Sequence, residues 1–101
     1  MRIEITGRRL TLTDPIRVYA HEKAEKLLKY YDGVQQIKVV LDQERHDHRD
    51  EFSAEVLVDL VKHDPLVARA EASDVYASVD MVIEKAGRQI KEFKAKLRDH
   101  H

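Results

Sequence analysis

A chain of 101 residues with 18 lysines and arginines against 19 aspartates and glutamates has room for one hydrophobic core and almost no net charge, −1 at neutral pH. The absence of cysteine excludes disulfides, thiolate catalysis and cysteine-bound metal. No apolar run approaches the ~18 residues that span a bilayer, and Met1 to Arg9 lacks the apolar core of a secretory signal, so the expectation is a single cytoplasmic domain over residues 1–101.

In chain order, Ile3 and Ile5 alternate with polar neighbours and predict a strand with both isoleucines inward. Gly7 interrupts it, and Leu10 and Leu12 resume the alternation. Arg8 and Arg9 fall at an exposed corner, where they contact either a phosphate backbone or water alone. Thr13-Asp14-Pro15 predicts a helix start: a capping hydroxyl, an acid at the positive end of the dipole, and a proline suited to the first turn. Ile16, Ala20, Ala24, Leu27 and Tyr31 then form a core stripe, and Asp32-Gly33 predicts the helix stop. Tyr19, Lys23, Lys26 and Tyr30 cluster on one flank outside that stripe. Lysines interleaved with aromatic rings suit RNA, since rings stack on bases and ammoniums pair with phosphate. The same four residues serve equally as the edge of the core with two solvated lysines.

A second strand is predicted over Gln36–Glu44, followed by a charged loop, Arg45 to Asp50. Phe52, Ala54, Val56, Val58 and Leu60 alternate along a third strand, and His63-Asp64-Pro65 reads as a turn. Leu66, Ala68, Ala70 and Ala72 mark a fourth strand whose small inward residues allow a helix close above it. Ser73 or Asp74 then caps a long final helix. Its apolar residues, Tyr76, Val79, Ile83, Ala86, Ile90, Phe93 and Leu97, recur in steps of three and four and share one side. Arg88 lies almost opposite this stripe, with Lys85, Lys91, Lys96 and Arg98 fanned out on either side. From Lys85 to Arg98 six basic residues stand against Glu92 alone, a local charge of +5. On a near-neutral chain this points to an anionic partner; a solvated helix face is the other reading.

The order β-α-β-β-β-α, with one apolar face per element, predicts an α+β fold. A four-stranded sheet carries both helices on one face, and strands two to four form an antiparallel meander. The Lys23 and Lys26 flank and the back of the last helix, with Lys85 and Arg88, would then join in one basic surface. Asp42 to Asp64 carries eight acids against three bases, −5, which polarises the molecule.

Other chemistry is sparsely supported. His46 and His48, with Asp50 and His63 nearby in sequence, have the residue types of a zinc or copper site, and equally those of a solvated loop. Asp80 lacks an acid–base partner in sequence and reads as a structural carboxylate holding a lysine or capping a loop. No phosphate-binding glycine loop, nucleophile elbow or His-Glu-x-x-His spacing occurs. His100 and His101 carry no argument.

Three segments together resemble the ribosome hibernation promoting factor family, also called ribosome-associated inhibitor A or ribosomal subunit interface proteins. They are I-T-G-R at Ile5 to Arg8, K-x-x-K-L-x-x-Y at Lys23 to Tyr30, and D-x-Y-A-x-x-D at Asp74 to Asp80. The last is followed by I-x-K-x-x-R-Q-x-x-x-x-K-x-K-L from Ile83 to Leu97. The resemblance runs the full length and implies a fold similar to the double-stranded RNA-binding domain. It implies no catalysis, cofactor, metal or small-molecule substrate. The implied partners are the small ribosomal subunit with its 16S rRNA and the intact ribosome, bound over the messenger and tRNA sites so that translation stops in stationary phase or starvation. The resemblance also implies a short-form member, of the type assisted by a separate ribosome modulation factor. It assigns RNA contact to Lys23, Lys26, Lys85, Arg88, Gln89, Lys94 and Lys96. Tyr30 and Arg8 fall within its motifs, and Lys91 and Arg98 join from helix geometry alone. Gly87 departs from the pattern in mid-helix and costs about 1 kcal/mol relative to alanine; it either admits RNA backbone or is merely tolerated. The alternatives are a general double-stranded RNA-binding module and a metal protein using His46 and His48.

Overall fold

In the computed structural model, which describes residues 2–99, the elements follow the predicted order. They are β1 (Ile3–Arg8), α1 (Asp14–Glu25), β2 (Val34–His46), β3 (Arg49–Leu60), β4 (His63–Ala72) and α2 (Val75–Asp99). His100 and His101 lie outside the described residues.

The sheet order is β1-β2-β3-β4. β1 and β2 are parallel, with Ile5 opposite Val39, and α1 supplies the crossover that a parallel pair requires. Short turns make β2-β3 and β3-β4 antiparallel. Alternation along each strand puts Ile3, Ile5, Ile37, Val39, Leu41, Val56, Val58, Ala68 and Ala70 on one buried face. Ala20, Ala24 and Leu27 cover it from the α1 side, and Val79, Val82, Ala86 and Ile90 from α2. α2 lies over β3 and β4, with α1 beside it over β1 and β2. Both helices therefore share one face of the sheet, and their outer flanks meet.

Several local expectations change. Gly7 does not interrupt β1. It lies within the strand, where an added Cβ would stand 2.6 Å from the Leu10 carbonyl oxygen and 2.9 Å from Leu12, so glycine admits the returning chain. The first helix stops being α-helical at Glu25 and tightens into a 3-10 turn over Lys26–Lys29, which keeps Leu27 buried. Gly33 is not a left-handed helix cap, since no described glycine has positive φ. A Cβ there would collide with the Tyr31 ring.

The predicted loop from Arg45 to Asp50 is strand on both sides of a two-residue turn, Asp47-His48. Cross-strand pairing continues to His46–Arg49, with Asp47 in the left-handed region at φ 56. His63-Asp64-Pro65 belongs to β4, and the turn is Val61-Lys62, with Lys62 at φ 56. The signal misled because Pro65 is tolerated on an edge strand. Asp74, not Ser73, caps α2, its Oδ2 accepting from the Ala77 N–H at 3.1 Å. The apolar stripe of α2 also includes Val75 and Val82, whereas Leu97 is 46% exposed.

Candidate nucleic-acid interface

Successive turns of α1 place Tyr19 and Lys23, and the 3-10 turn that continues it places Lys26, along the flank that faces α2. From α2, Tyr76 sets its ring edge-on to Tyr19 at 5.0 Å between centroids. The Tyr19 hydroxyl donates to Asp80 Oδ1 at 2.6 Å, and Lys23 Nζ lies 3.6 Å from the same oxygen. Lys23 also stands over the Tyr19 ring at 5.3 Å. Asp80 therefore does hold a lysine, and with Tyr76 it locks α1 against α2. Its carboxylate, with partial burial of the ring, pushes the Tyr19 hydroxyl up to about 12.

Two turns further along α2, Gly87 makes room for Tyr30. A Cβ on Gly87 would stand 3.1 Å from the Tyr30 ring, so the close approach that glycine permits is to this side chain. Lys91 places its ammonium over the same ring at 4.6 Å, a cation–π contact. The result is an open groove of about 360 Å³ between the helices, lined by Lys23, Lys26, Tyr30, Arg88 and Lys91 with Asp80, Glu84 and Gly87. Arg88 lies 3.9 Å from Glu84, one turn earlier on its own helix. Among the described residues, Lys26 and Lys91 have no carboxylate partner.

The other sequence-predicted residues lie elsewhere. Lys85 reaches away from the groove and donates to the Arg69 carbonyl at 2.7 Å; Gln89 donates to the Val67 carbonyl at 3.1 Å. Both cover carbonyls on the outer edge of β4 that have no neighbouring strand. Lys94, half-buried, and Lys96 and Arg98, exposed, continue along the last turns of α2. Arg8 is not brought to the groove at all: it pairs in register with Asp42 and projects from the sheet face opposite the helices. The anticipated joining of Lys85 with Lys23 and Lys26 is therefore corrected, whereas Arg88 does join them. Tyr30, seated on Gly87 under Lys91, is part of the groove wall, whereas Tyr19, engaged by Asp80 and Lys23, joins the two helices and does not line it.

A protein-family model described as Sigma 54 modulation protein / S30EA ribosomal protein matches residues 3–98. The chain belongs to this family. It is 33% identical over 100 residues to the ribosome hibernation promoting factor of Escherichia coli K12, covering 99% of this chain and all of that protein. It is 30% identical over 96 residues to the factor of the same name from Azotobacter vinelandii, 95% of this chain and 85% of that one. Among solved structures, the N-terminal domain of Thermus thermophilus Protein Y superposes with a TM-score of 0.73 at 30% identity, covering 92% of this chain and 99% of that domain. A ribosomal subunit interface protein from Coxiella burnetii shares the fold at TM-score 0.78 and 22% identity, covering 94% of this chain and 99% of that one.

In this member of the S30EA family the D-x-Y-A-x-x-D segment is architectural. Asp74 caps α2, Tyr76 packs on Tyr19 and Asp80 binds Tyr19 and Lys23. Sequence reading singled out Tyr19 and Asp80 separately; nothing in their local pattern indicates that they meet.

The histidines do not assemble as a His46–His48–Asp50 set. His46 Nε2 instead lies 2.9 Å from Glu44 Oε2 and 3.9 Å from Glu51 Oε1. His63 is at the other end of β3, edge-on to Phe93 at 4.5 Å. Nearby, Arg9 sets its guanidinium on both oxygens of Asp42, at 3.0 and 2.6 Å, and on Glu44 at 2.7 Å. This pairing holds both carboxylates below their usual range and raises the arginine. Arg9 is therefore committed within the fold. No helix among the described residues is long and apolar enough to cross a membrane.

Proposed function

We propose that this protein is a non-catalytic ribosome hibernation factor. It binds the small ribosomal subunit over the messenger and tRNA sites, contacts 16S rRNA through its helices, and withholds idle ribosomes from translation in stationary phase or starvation. The observation that carries this reading is the groove between α1 and α2, where Lys23, Lys26, Arg88 and Lys91 converge from two helices that Tyr19, Asp80 and Gly87 hold in contact. Relatives of matching length are named ribosome hibernation promoting factors, which directs the groove toward the ribosome.

Ammonium and guanidinium groups fixed at this spacing bind phosphate by releasing condensed counterions, so affinity is set by backbone shape and charge more than by base sequence. Lys94, Lys96 and Arg98 extend the positive field along α2, and the acid-rich β2-β3 hairpin turns away from RNA, favouring one docking orientation. Lys85 and Gln89 add RNA contact by exchanging their β4 carbonyls for phosphate or ribose. Ribosome occupancy is the whole activity; the reading needs no cofactor. A separate modulation factor, where a cell has one, would act on ribosomes already bound.

Sucrose-gradient co-sedimentation with purified ribosomes tests the reading. Co-migration with the small subunit and the intact ribosome at low salt, lost at high salt and resistant to excess free RNA duplex, is the expected result. Protein that stays at the top of the gradient at every salt concentration would refute it. Displacement by the free duplex would make it a general double-stranded RNA binder.

A further inference from the structure

The sheet face turned away from the helices carries a second constellation that plays no part in the groove. On β2, Glu44 and His46 are two residues apart and share this face; on β3, Glu51 stands directly opposite Glu44. Like charges opposite one another across a strand pair repel, and a third carboxylate, Glu71 of β4, borders the same depression as Glu51. His46 Nε2 occupies the space between the first two acids, 2.9 Å from one and 3.9 Å from the other. One ligand atom from each of Glu44, His46 and Glu51 lies within 4.8 Å of the others. Arg9 binds only Oε1 of Glu44 and leaves Oε2 facing His46. A shallow depression of about 300 Å³, bordered by His46, Glu51 and Glu71, gives access from solvent.

We infer that Glu44, His46 and Glu51 on the open face of the β2-β3 hairpin bind one divalent transition-metal ion of the zinc class. Imidazole nitrogen with carboxylate oxygens is a donor set that zinc and its neighbours accept, at about 2.0–2.2 Å from the metal. Ligands on one ion at that distance stand about 3–3.5 Å apart, so closure of the cluster needs side-chain rotation and no movement of the paired strands. A divalent ion there offsets the like charge of Glu44 and Glu51, which stand opposite one another, and of Glu71 beside them. Arg9 acts as an outer partner, orienting Glu44 as hydrogen-bonded outer groups orient metal-binding carboxylates. With three protein ligands, the remaining position is left to water. The set differs from the one that sequence spacing suggested: His48 sits in the turn and Asp50 is not in the cluster.

The test is isothermal titration of zinc chloride into the purified, untagged full chain, with the variants His46→Ala, Glu51→Gln and His48→Ala. The expected result is one saturable zinc per chain. His46→Ala and Glu51→Gln should each weaken it by about tenfold or more, and His48→Ala should leave it unchanged. His46 and His48 are exposed and Glu51 is half-buried at the sheet surface, outside the core, so the variants should fold, as far-UV circular dichroism will verify. No saturable binding, or equal binding by wild type and His46→Ala, would overturn the proposal. Loss of binding in His48→Ala to the extent seen in His46→Ala would overturn this ligand set.

Discussion

The Tyr19 hydroxyl on α1 donates a 2.6 Å hydrogen bond to the Asp80 carboxylate on α2, joining residues 61 positions apart. The same carboxylate draws Lys23 to 3.6 Å. One acid inside a basic surface thereby sets the spacing of the two helices and the direction of a groove lysine. Asp80 is a positioning residue, and its negative charge serves the positive groove.

Tyr19 should titrate late. Folding keeps its hydroxyl protonated up to about 12, against 10.0 for a free phenol. The stability it contributes is therefore intact below pH 10 and is lost as pH rises through 12. In an ultraviolet titration at phenolate wavelengths, one of the four tyrosines should lag, and Asp80→Asn should bring it back toward the others. Tyr19→Phe should remove the lagging component. A wild-type curve with all tyrosines titrating together would contradict the contact.

Gly87→Ala separates helix stability from groove shape. Alanine gains up to about 1 kcal/mol of helix propensity, but its Cβ would press on the Tyr30 ring at 3.1 Å. Tyr30 is only half-buried and has room to swing outward, so thermal stability should hold or rise slightly. Ribosome affinity should fall, because the displaced ring carries away the platform beneath Lys91. A clear loss of melting temperature would mean that the ring cannot yield.

Charge reversal should distinguish the two sides of α2. The pair Arg88→Glu with Lys91→Glu should abolish co-sedimentation at physiological salt without unfolding the chain. Lys26→Ala should lower the slope of log affinity against log salt by about one phosphate contact. Lys85→Ala also removes the hydrogen bond to the Arg69 carbonyl, so it should combine a smaller loss of affinity with faster amide exchange along the β4 edge. Equal binding defects with no change in exchange would show that Lys85 acts only on RNA.

Asp42 and Arg9 should govern acid stability. The guanidinium holds the Asp42 carboxyl below 3.8, so the pair stabilises the fold above that pH and ceases to do so as pH falls through the lowered value. Arg9→Ala should therefore reduce urea stability at pH 7, where Asp42 is left buried and charged, and the difference should shrink as pH falls below 3.8 and Asp42 takes up its proton. A pH-independent difference would show that the Asp42 charge is not its source; the left-handed backbone at Arg9, φ 54, cancels from the comparison because alanine and arginine are strained alike there.

The order of elements and the residues that face the core were legible in the sequence because both are local. A period of two along Phe52–Leu60 or of three and four along α2 reflects backbone geometry that neighbouring residues determine among themselves. Turn positions were less legible. Pro65 is as compatible with an edge strand as with a turn, and the charged residues around His46 pair across strands as readily as they face water. Functional grouping was the least legible. Periodicity correctly put Lys85, Arg88 and Lys91 away from the core stripe. Whether each turns toward α1 or toward β4 depends on where α2 sits on the sheet, and that is set by the small residues Ala68 and Ala70 beneath it. The Tyr19–Asp80 bond, the seating of Tyr30 on Gly87 and the His46–Glu51 approach all join separate elements. Such contacts have no signature along the chain. They arise when buried apolar faces bring the helices and strands together, and the polar side chains at the margins then take the partners that packing leaves within reach.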